Sequence, residues 1–180
     1  MQNLREFKIP VNFRGKSAWK VQAWWIIQAV FINLSPQFMY SWRRFILRCF
    51  GANIGKGVLL RPRVHVQYPW KLSVGDYSWI GDGVVIYNLG NIKIGANTVI
   101  SQKTYICAGT HDYKSPDFPI QAKPVTIEDE CWLATDVYVG PGVTIGKGTV
   151  VGARSSVFNS LPAGKICFGS PAKIVRNRII

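Results

Sequence analysis

The chain carries two histidines, His65 and His111, and four cysteines, Cys49, Cys107, Cys131 and Cys167. No cysteine pair has C-x-x-C spacing, so the thiols read as small buried hydrophobes in a reducing compartment rather than as zinc ligands or a redox pair. Two histidines also fall short of a three-imidazole zinc centre, and a symmetric assembly would only repeat them. No metal is expected. What remains is acid–base chemistry. His111 closes the six-residue unit begun by Ile106 and opens the most irregular stretch of the sequence, DYKSPDFPIQAKP at 112–124. An imidazole is the side chain suited to removing a hydroxyl proton as a new bond forms. Asp112, next in the chain, either orients His111 or begins a turn.

The element that positions His111 follows from the period. From residue 54 an aliphatic side chain recurs every six positions, in runs: Ile54 and Leu60; Val74, Ile80 and Ile86; Ile94, Ile100 and Ile106; Ile127, Leu133, Val139, Ile145, Val151 and Val157. Glycine follows at 55, 75, 81, 95, 140, 146 and 152, and a small or β-branched residue usually stands four places on. A strand alternates every two residues and a helix every 3.6, so neither explains this pattern. A short strand plus a tight turn does, and such units stack into a parallel β-helix. Residues 66–73 interrupt the period, the phase slips by two before Ile94, and 112–124 is expected to loop out beside the stack.

The N-terminal part differs. Residues 17–34 are apolar nearly all round and read as a helix with Ser17 as N-cap. A second helix is expected from Pro36, capped by Ser35 and stopped at Gly51. Its stripe is Phe38, Met39, Trp42, Phe45, Ile46, Cys49 and Phe50, with Arg43, Arg44 and Arg48 largely away from it. The first helix is too short and too interrupted to be read as a membrane span. The pair either packs on the β-body or a neighbouring subunit, or lies on a membrane surface with tryptophans at the interface and arginines toward anionic lipid. Residues 1–75 hold twelve Lys and Arg against Glu6 alone, whereas the remainder holds ten against eight acids. That asymmetry suits an anionic partner for the N-terminal part. High pI alone, without a recognisable motif, does not make a nucleic-acid binder. No compact apolar run with a small-residue cleavage site opens the chain, so no secretory leader is expected and the compartment is read as cytoplasmic, at the inner membrane face if the helices bind lipid.

The repeats, the loop after His111, the segment ECWLATDVYVGPGVTIGKGTVVGARSSV and the ending GSPAKIVR resemble the hexapeptide-repeat O-acetyltransferases. WRRFILRCFGANIG, YNLGNIKIGANTVISQKTYICAGTHDY and SPDF are most similar to the colanic acid biosynthesis branch of the galactoside and maltose acetyltransferase group. The resemblance covers residues 40–178. It implies an all-β, left-handed parallel β-helix over 51–180, carrying the loop and a C-terminal tail, with 1–50 as a two-helix extension. It implies a homotrimer with sites between subunits, acetyl-CoA as co-substrate, and His111 as the base that deprotonates a sugar hydroxyl for direct attack on the thioester. Asn88, with Asp112, joins the catalytic set, and Tyr113 lines the acceptor pocket. Trp132 flanks the cofactor slot and the acceptor, while small Ala134, Thr135, Gly152 and Ala153 admit the pantetheine arm. Lys173 and Arg176 meet the CoA phosphates. Phe158 and Asn159 stand where several relatives carry Thr-Lys, so either another basic residue such as Arg154 replaces a phosphate-binding lysine or CoA binds more weakly.

Two alternatives stay open on the sequence. The acceptor is an exopolysaccharide precursor or a free sugar or other small alcohol, and a catalytically inert β-helix scaffold competes with both.

Overall fold

The computed structural model describes residues 2–179. Its body is a parallel β-solenoid of three faces, with one strand of each coil on each face. Face A stacks Asn53–Ile54, Leu72–Val74, Ile92–Ile94, Val125–Ile127 and Thr144–Ile145. Face B stacks Leu59–Leu60, Trp79–Ile80, Val99–Ile100, Trp132–Leu133 and Val150–Val151, and ends in the antiparallel pair Lys165–Gly169 and Ala172–Asn177. Face C stacks His65–Val66, Val85–Tyr87, Tyr105–Cys107, Tyr138–Val139 and Ser156–Val157. The six-residue period is thus one strand plus one corner. All fourteen aliphatic positions of the series are buried.

The residues four places on form the second interior column, except Thr110, which has left the stack. Their hydroxyls are satisfied inside the fold. Ser78 donates to the Gly95 carbonyl (2.6 Å), Thr98 to Glu128 (2.8 Å) and Thr149 to Pro162 (2.6 Å). A buried hydroxyl without such a partner would be destabilising.

Three sequence expectations need correction. Val66 is buried and pairs with Ile86, so the first coil is complete and the interruption begins at residue 67. The stretch after His111 is no simple loop: Gly109–His111 pairs antiparallel with Ile120–Ala122 as a hairpin. Cys49 is exposed, whereas the other three cysteines are buried.

The helices depart further. Helix α1 runs Ala18–Ile27, with Ser17 at the N-cap position but making no side-chain cap bond. A π-turn, Gln28–Ile32, follows it. Helix α2 is Tyr40–Cys49 and starts four residues after Pro36. Ser35 does not cap it, because its hydroxyl donates to Ile32 while the Pro36 and Gln37 carbonyls turn toward the guanidinium of Arg43. The arginines face the solenoid. Arg43 is fully buried and also bonds the Leu60 carbonyl (2.6 Å). Arg44 reaches the Val58 carbonyl (2.7 Å) and Arg48 the Ile54 carbonyl (2.7 Å). Trp24 Nε1 donates to Val66 O (2.8 Å), and Gln28 Oε1 accepts the Val66 N–H (2.7 Å). These are main-chain groups at the open end of the first coil, where no earlier strand exists to pair them. In exchange, Phe38, Phe45 and Ile26 are left exposed, at 79%, 58% and 64%.

Arg43→Met keeps the bulk and removes the donors. It is expected to lower the unfolding free energy by about 2–5 kcal/mol, since buried acceptors lose a charged partner. Urea denaturation measures this, and a loss below about 1 kcal/mol would contradict the capping role.

Candidate active site

His111 sits at the corner where the chain leaves face C for face A. Stacked beneath its hairpin is Asn88–Asn91, and below that Tyr68–Lys71. The strand carrying His111 passes directly over Leu89: a Cβ on Gly109 would lie 2.6 Å from Leu89 Cδ1, so any larger residue there would have to displace the buried Leu89 side chain. The N-terminal segment is tied to the same corner. The Asn3 amide donates to Pro116 O (2.6 Å), Trp70 Nε1 to Arg14 O (2.7 Å), and Lys71 Nζ to both Phe13 O (2.7 Å) and Leu89 O (2.6 Å). Burial pushes the Lys71 ammonium pKa down.

The His111 ring is half-buried and held in plane. Phe118 stacks on it at 4.3 Å with the rings 9° from parallel, and Phe7 flanks it at 5.9 Å. Its Nδ1 lies 2.9 Å from the Phe118 carbonyl. A carbonyl only accepts, so Nδ1 carries the proton and the neutral ring keeps its lone pair on Nε2. That is the arrangement of a base with its orientation and tautomer fixed. Neither Phe118 nor Phe7 stood out in the sequence, because stacking depends on a hairpin and a chain terminus meeting in space.

Asp112 makes no hydrogen bond or ion pair with the imidazole among the described residues. Its carboxylate accepts the Lys114 amide (3.0 Å) as a turn, the second of the two readings open for it. Asn88 is fully buried, its Oδ1 accepting the Tyr68 amide (2.9 Å) and its Nδ2 donating to the Tyr68 carbonyl (2.6 Å). Its amide braces the corner under the histidine strand and is not exposed to an acceptor. Tyr113 is 77% exposed at the hairpin tip.

The expected cofactor residues lie on another corner, between faces B and C. Trp132 stands half-exposed on face B, its Nε1 donating to Ser101 Oγ (3.1 Å). The amide of Ala134 is spent on Val151 O and that of Gly152 on Cys167 O. A Cβ at Gly152 would strike the Phe168 ring, so the small residue makes room for that ring. The amides of Thr135 and Ala153, in contrast, make no hydrogen bond among the described residues. Arg154, next to Ala153, is largely exposed and lies 3.7 Å from Asp136. Lys173 and Arg176 are exposed on the last strand. One chain therefore carries an imidazole corner and a separate wall of small residues, with face C between them. Along face C runs an aromatic column, Tyr87, Tyr105, Tyr138 and Phe158, with neighbouring rings 5.7–6.3 Å apart. Burial, with Cys107 beside it, pushes the Tyr138 phenol up to about 12, so it stays a neutral donor.

Asn88→Ala is expected to cost about 2–4 kcal/mol of stability by leaving the buried Tyr68 amide and carbonyl unpartnered. Chemical denaturation tests this; an unchanged midpoint would remove Asn88 from the corner's support.

Comparison with known proteins agrees with this architecture. The bacterial transferase hexapeptide (six repeats) family matches residues 124–159. The chain is 59% identical over 179 residues to the putative colanic acid biosynthesis acetyltransferase WcaF of Escherichia coli (strain K12), covering 99% of this chain and 98% of that protein. It is 33% identical over 143 residues to the putative lipopolysaccharide biosynthesis O-acetyl transferase WbbJ of the same organism, covering 71% and 70%. The hexapeptide-repeat acetyltransferase VCA0836 of Vibrio cholerae, solved in complex with acetyl coenzyme A, superposes with a TM-score of 0.83 at 26% identity, covering 92% of each chain. The chain belongs to the left-handed β-helix, hexapeptide-repeat acetyltransferases, in their colanic acid biosynthesis branch.

Proposed function

We propose that this enzyme transfers the acetyl group of acetyl-CoA to a sugar hydroxyl of an exopolysaccharide precursor, with His111 as general base. The observation that carries the reading is the Phe118 carbonyl on Nδ1, which leaves Nε2 free to act. Nε2 takes the hydroxyl proton as the oxygen attacks the thioester carbon. The resulting imidazolium returns that proton to the sulfur as the C–S bond breaks, so the ring ends each cycle neutral. The acetyl donor in the VCA0836 complex supports acetyl-CoA here. In this chain the unpaired Thr135 and Ala153 amides suit the pantetheine amides, Trp132 and Ala134 wall the slot, and Arg154, Lys173 and Arg176 suit the phosphates. Tyr113 reaches from the hairpin tip toward the acceptor.

A homotrimer completes the site. The imidazole and the donor wall lie on different corners of one chain, so a neighbouring copy supplies the wall facing each His111. The half-buried aromatic column of face C supports such packing. Residues 51–180 form the acyltransferase unit and 1–50 its cap.

The cap's outer face supports work at the inner face of the cytoplasmic membrane. No charged residue occurs from 21 to 42, Lys16 and Lys20 flank Trp19, and Phe31, Trp42 and Phe45 line an apolar groove of about 200 Å3. No described helix is long and apolar enough to cross a bilayer. The Trp-rich surface with flanking cations suits interfacial binding to anionic lipid.

A screen of thiol release from acetyl-CoA over glycan precursors tests the reaction. His111→Ala is expected to lower kcat by roughly 10²–10⁴-fold, and Asp112→Asn by less than about threefold because its role is a turn. Wild-type turnover in the alanine variant overturns the mechanism, and absence of acetyl-CoA binding favours an inert scaffold. For the membrane reading, the full chain is expected to float with vesicles containing anionic lipid. Replacing Ile26, Phe38 and Phe45 by Gln should abolish flotation, and equal flotation of both proteins refutes it.

A further inference from the structure

The corner between faces B and C is a column of stacked turns: 61–63, 81–83, 101–103, 134–136 and 152–154. Main-chain bonds link them, from the Lys103 amide to Asp82 O (3.0 Å), Asp136 to Gln102 (3.0 Å) and Arg154 to Thr135 (2.9 Å). The turns differ in chemistry along the column. The last two offer small residues and the free amides of Thr135 and Ala153. The first three enclose a cleft of about 580 Å3 walled by Gln37, Arg61, Arg63, Asp82, Gln102 and Lys103. A second cavity of about 350 Å3 adjoins it, sharing Arg61 and Gln102 and adding Tyr40 and Trp79.

The cleft is short of negative charge. Arg63 is bridged to Asp82 at 2.6 Å. Arg61 has only the Tyr40 hydroxyl at 3.5 Å, and neither Arg61 nor Lys103 meets a carboxylate among the described residues. Three cations thus face one acid, and Arg43 lies close enough to Arg61 for their charges to repel. Like charges held together around a concave space favour a multivalent anion, and guanidinium with ammonium suits phosphate oxygens.

We infer that Arg61 and Lys103 form a subsite for a diphosphate group on the acceptor. This rests on the proposed reaction: with the donor's arm along the turns at 134–136 and 152–154, the acceptor must approach the acyl carbon from the opposite end, which is the cationic cleft. The adjoining Trp79 and Tyr40 offer apolar walls for the group the diphosphate carries. A diphosphate-linked sugar is then the substrate class, in place of a free sugar. The diphosphate has two sources, a nucleotide or a lipid carrier, and the cleft recognises what they share.

The probe is inorganic pyrophosphate, titrated calorimetrically into the full-length protein with acetyl-CoA saturating, so that the donor's own phosphate contacts are filled. Arg61→Gln with Lys103→Gln is expected to weaken pyrophosphate binding at least about tenfold, while acetyl-CoA affinity, measured separately, stays within about twofold and Lys56→Gln changes neither. Unchanged pyrophosphate affinity in the double variant overturns the subsite. A parallel loss of acetyl-CoA affinity also overturns it, because the cations would then belong to the donor. Failure of the wild type to bind acetyl-CoA at all would count against the transferase reading and is seen in its own titration. Circular dichroism confirms that the variant is folded. Competition by a nucleoside diphosphate and by a short isoprenyl diphosphate then assigns the carrier, the stronger competitor marking the source.

Discussion

A stack of parallel strands has two ends, and each end strand turns unpaired main-chain groups outward. In this chain the first coil would leave the carbonyls of Ile54, Val58, Leu60 and Val66 without partners. Arg48, Arg44, Arg43 and Trp24 meet them in that order, and Gln28 takes the Val66 amide. Much else follows from that one requirement. The helices must present long donors to the solenoid, so α2 turns Arg43 inward beside Ile46 and Leu47, and Trp42 and Phe45 are left outside. Three of the surplus cations of the N-terminal part thereby serve as hydrogen-bond donors to main-chain carbonyls. The apolar outer face is a consequence of satisfying the sheet end.

Beyond the cap, stability and chemistry are divided between interior and corners. Aliphatic residues and buried hydroxyls fill the prism, and Ser78, Thr98, Thr104 and Thr149 each donate to a turn carbonyl of the next coil, which locks the coils in register. The corners are released from that duty and vary. One stacks Tyr68, Asn88, Leu89 and the His111 hairpin, and it holds an imidazole by a carbonyl and two aromatic rings. Another stacks small residues above basic ones. A chain of this shape keeps its imidazole and its small-residue turns on separate edges, and under the proposed function a neighbouring copy brings such edges together. Rigid elements carry the site, which favours the near-attack geometry that acyl transfer needs.

Much of this was legible in the residues. The six-residue period determined the solenoid, because only a strand-plus-turn unit repeats at that length. It also located His111 at an exit from the stack. Where local signals misled, a long-range partner had prevailed. Ser35 and Pro36 look like a helix start, yet the guanidinium of Arg43 claims the nearby carbonyls and the helix waits until Tyr40. Asn88 looks like an acceptor ligand, yet its amide is bonded on both sides to Tyr68, twenty residues earlier. Gly152 has no signature of the ring it serves, yet Phe168 packs directly against it.

By itself, then, the sequence determined the architecture and singled out His111 as the candidate base, since periodicity and the scarcity of histidine are local properties of the chain. Only the tertiary structure decided which nitrogen of His111 is free, which amides remain available to a ligand, and which way the arginines face. Those outcomes depend on hydrogen-bond partners brought together by coil stacking from distant parts of the chain. A main-chain carbonyl such as that of Phe118, moreover, has no signature in the residue it belongs to.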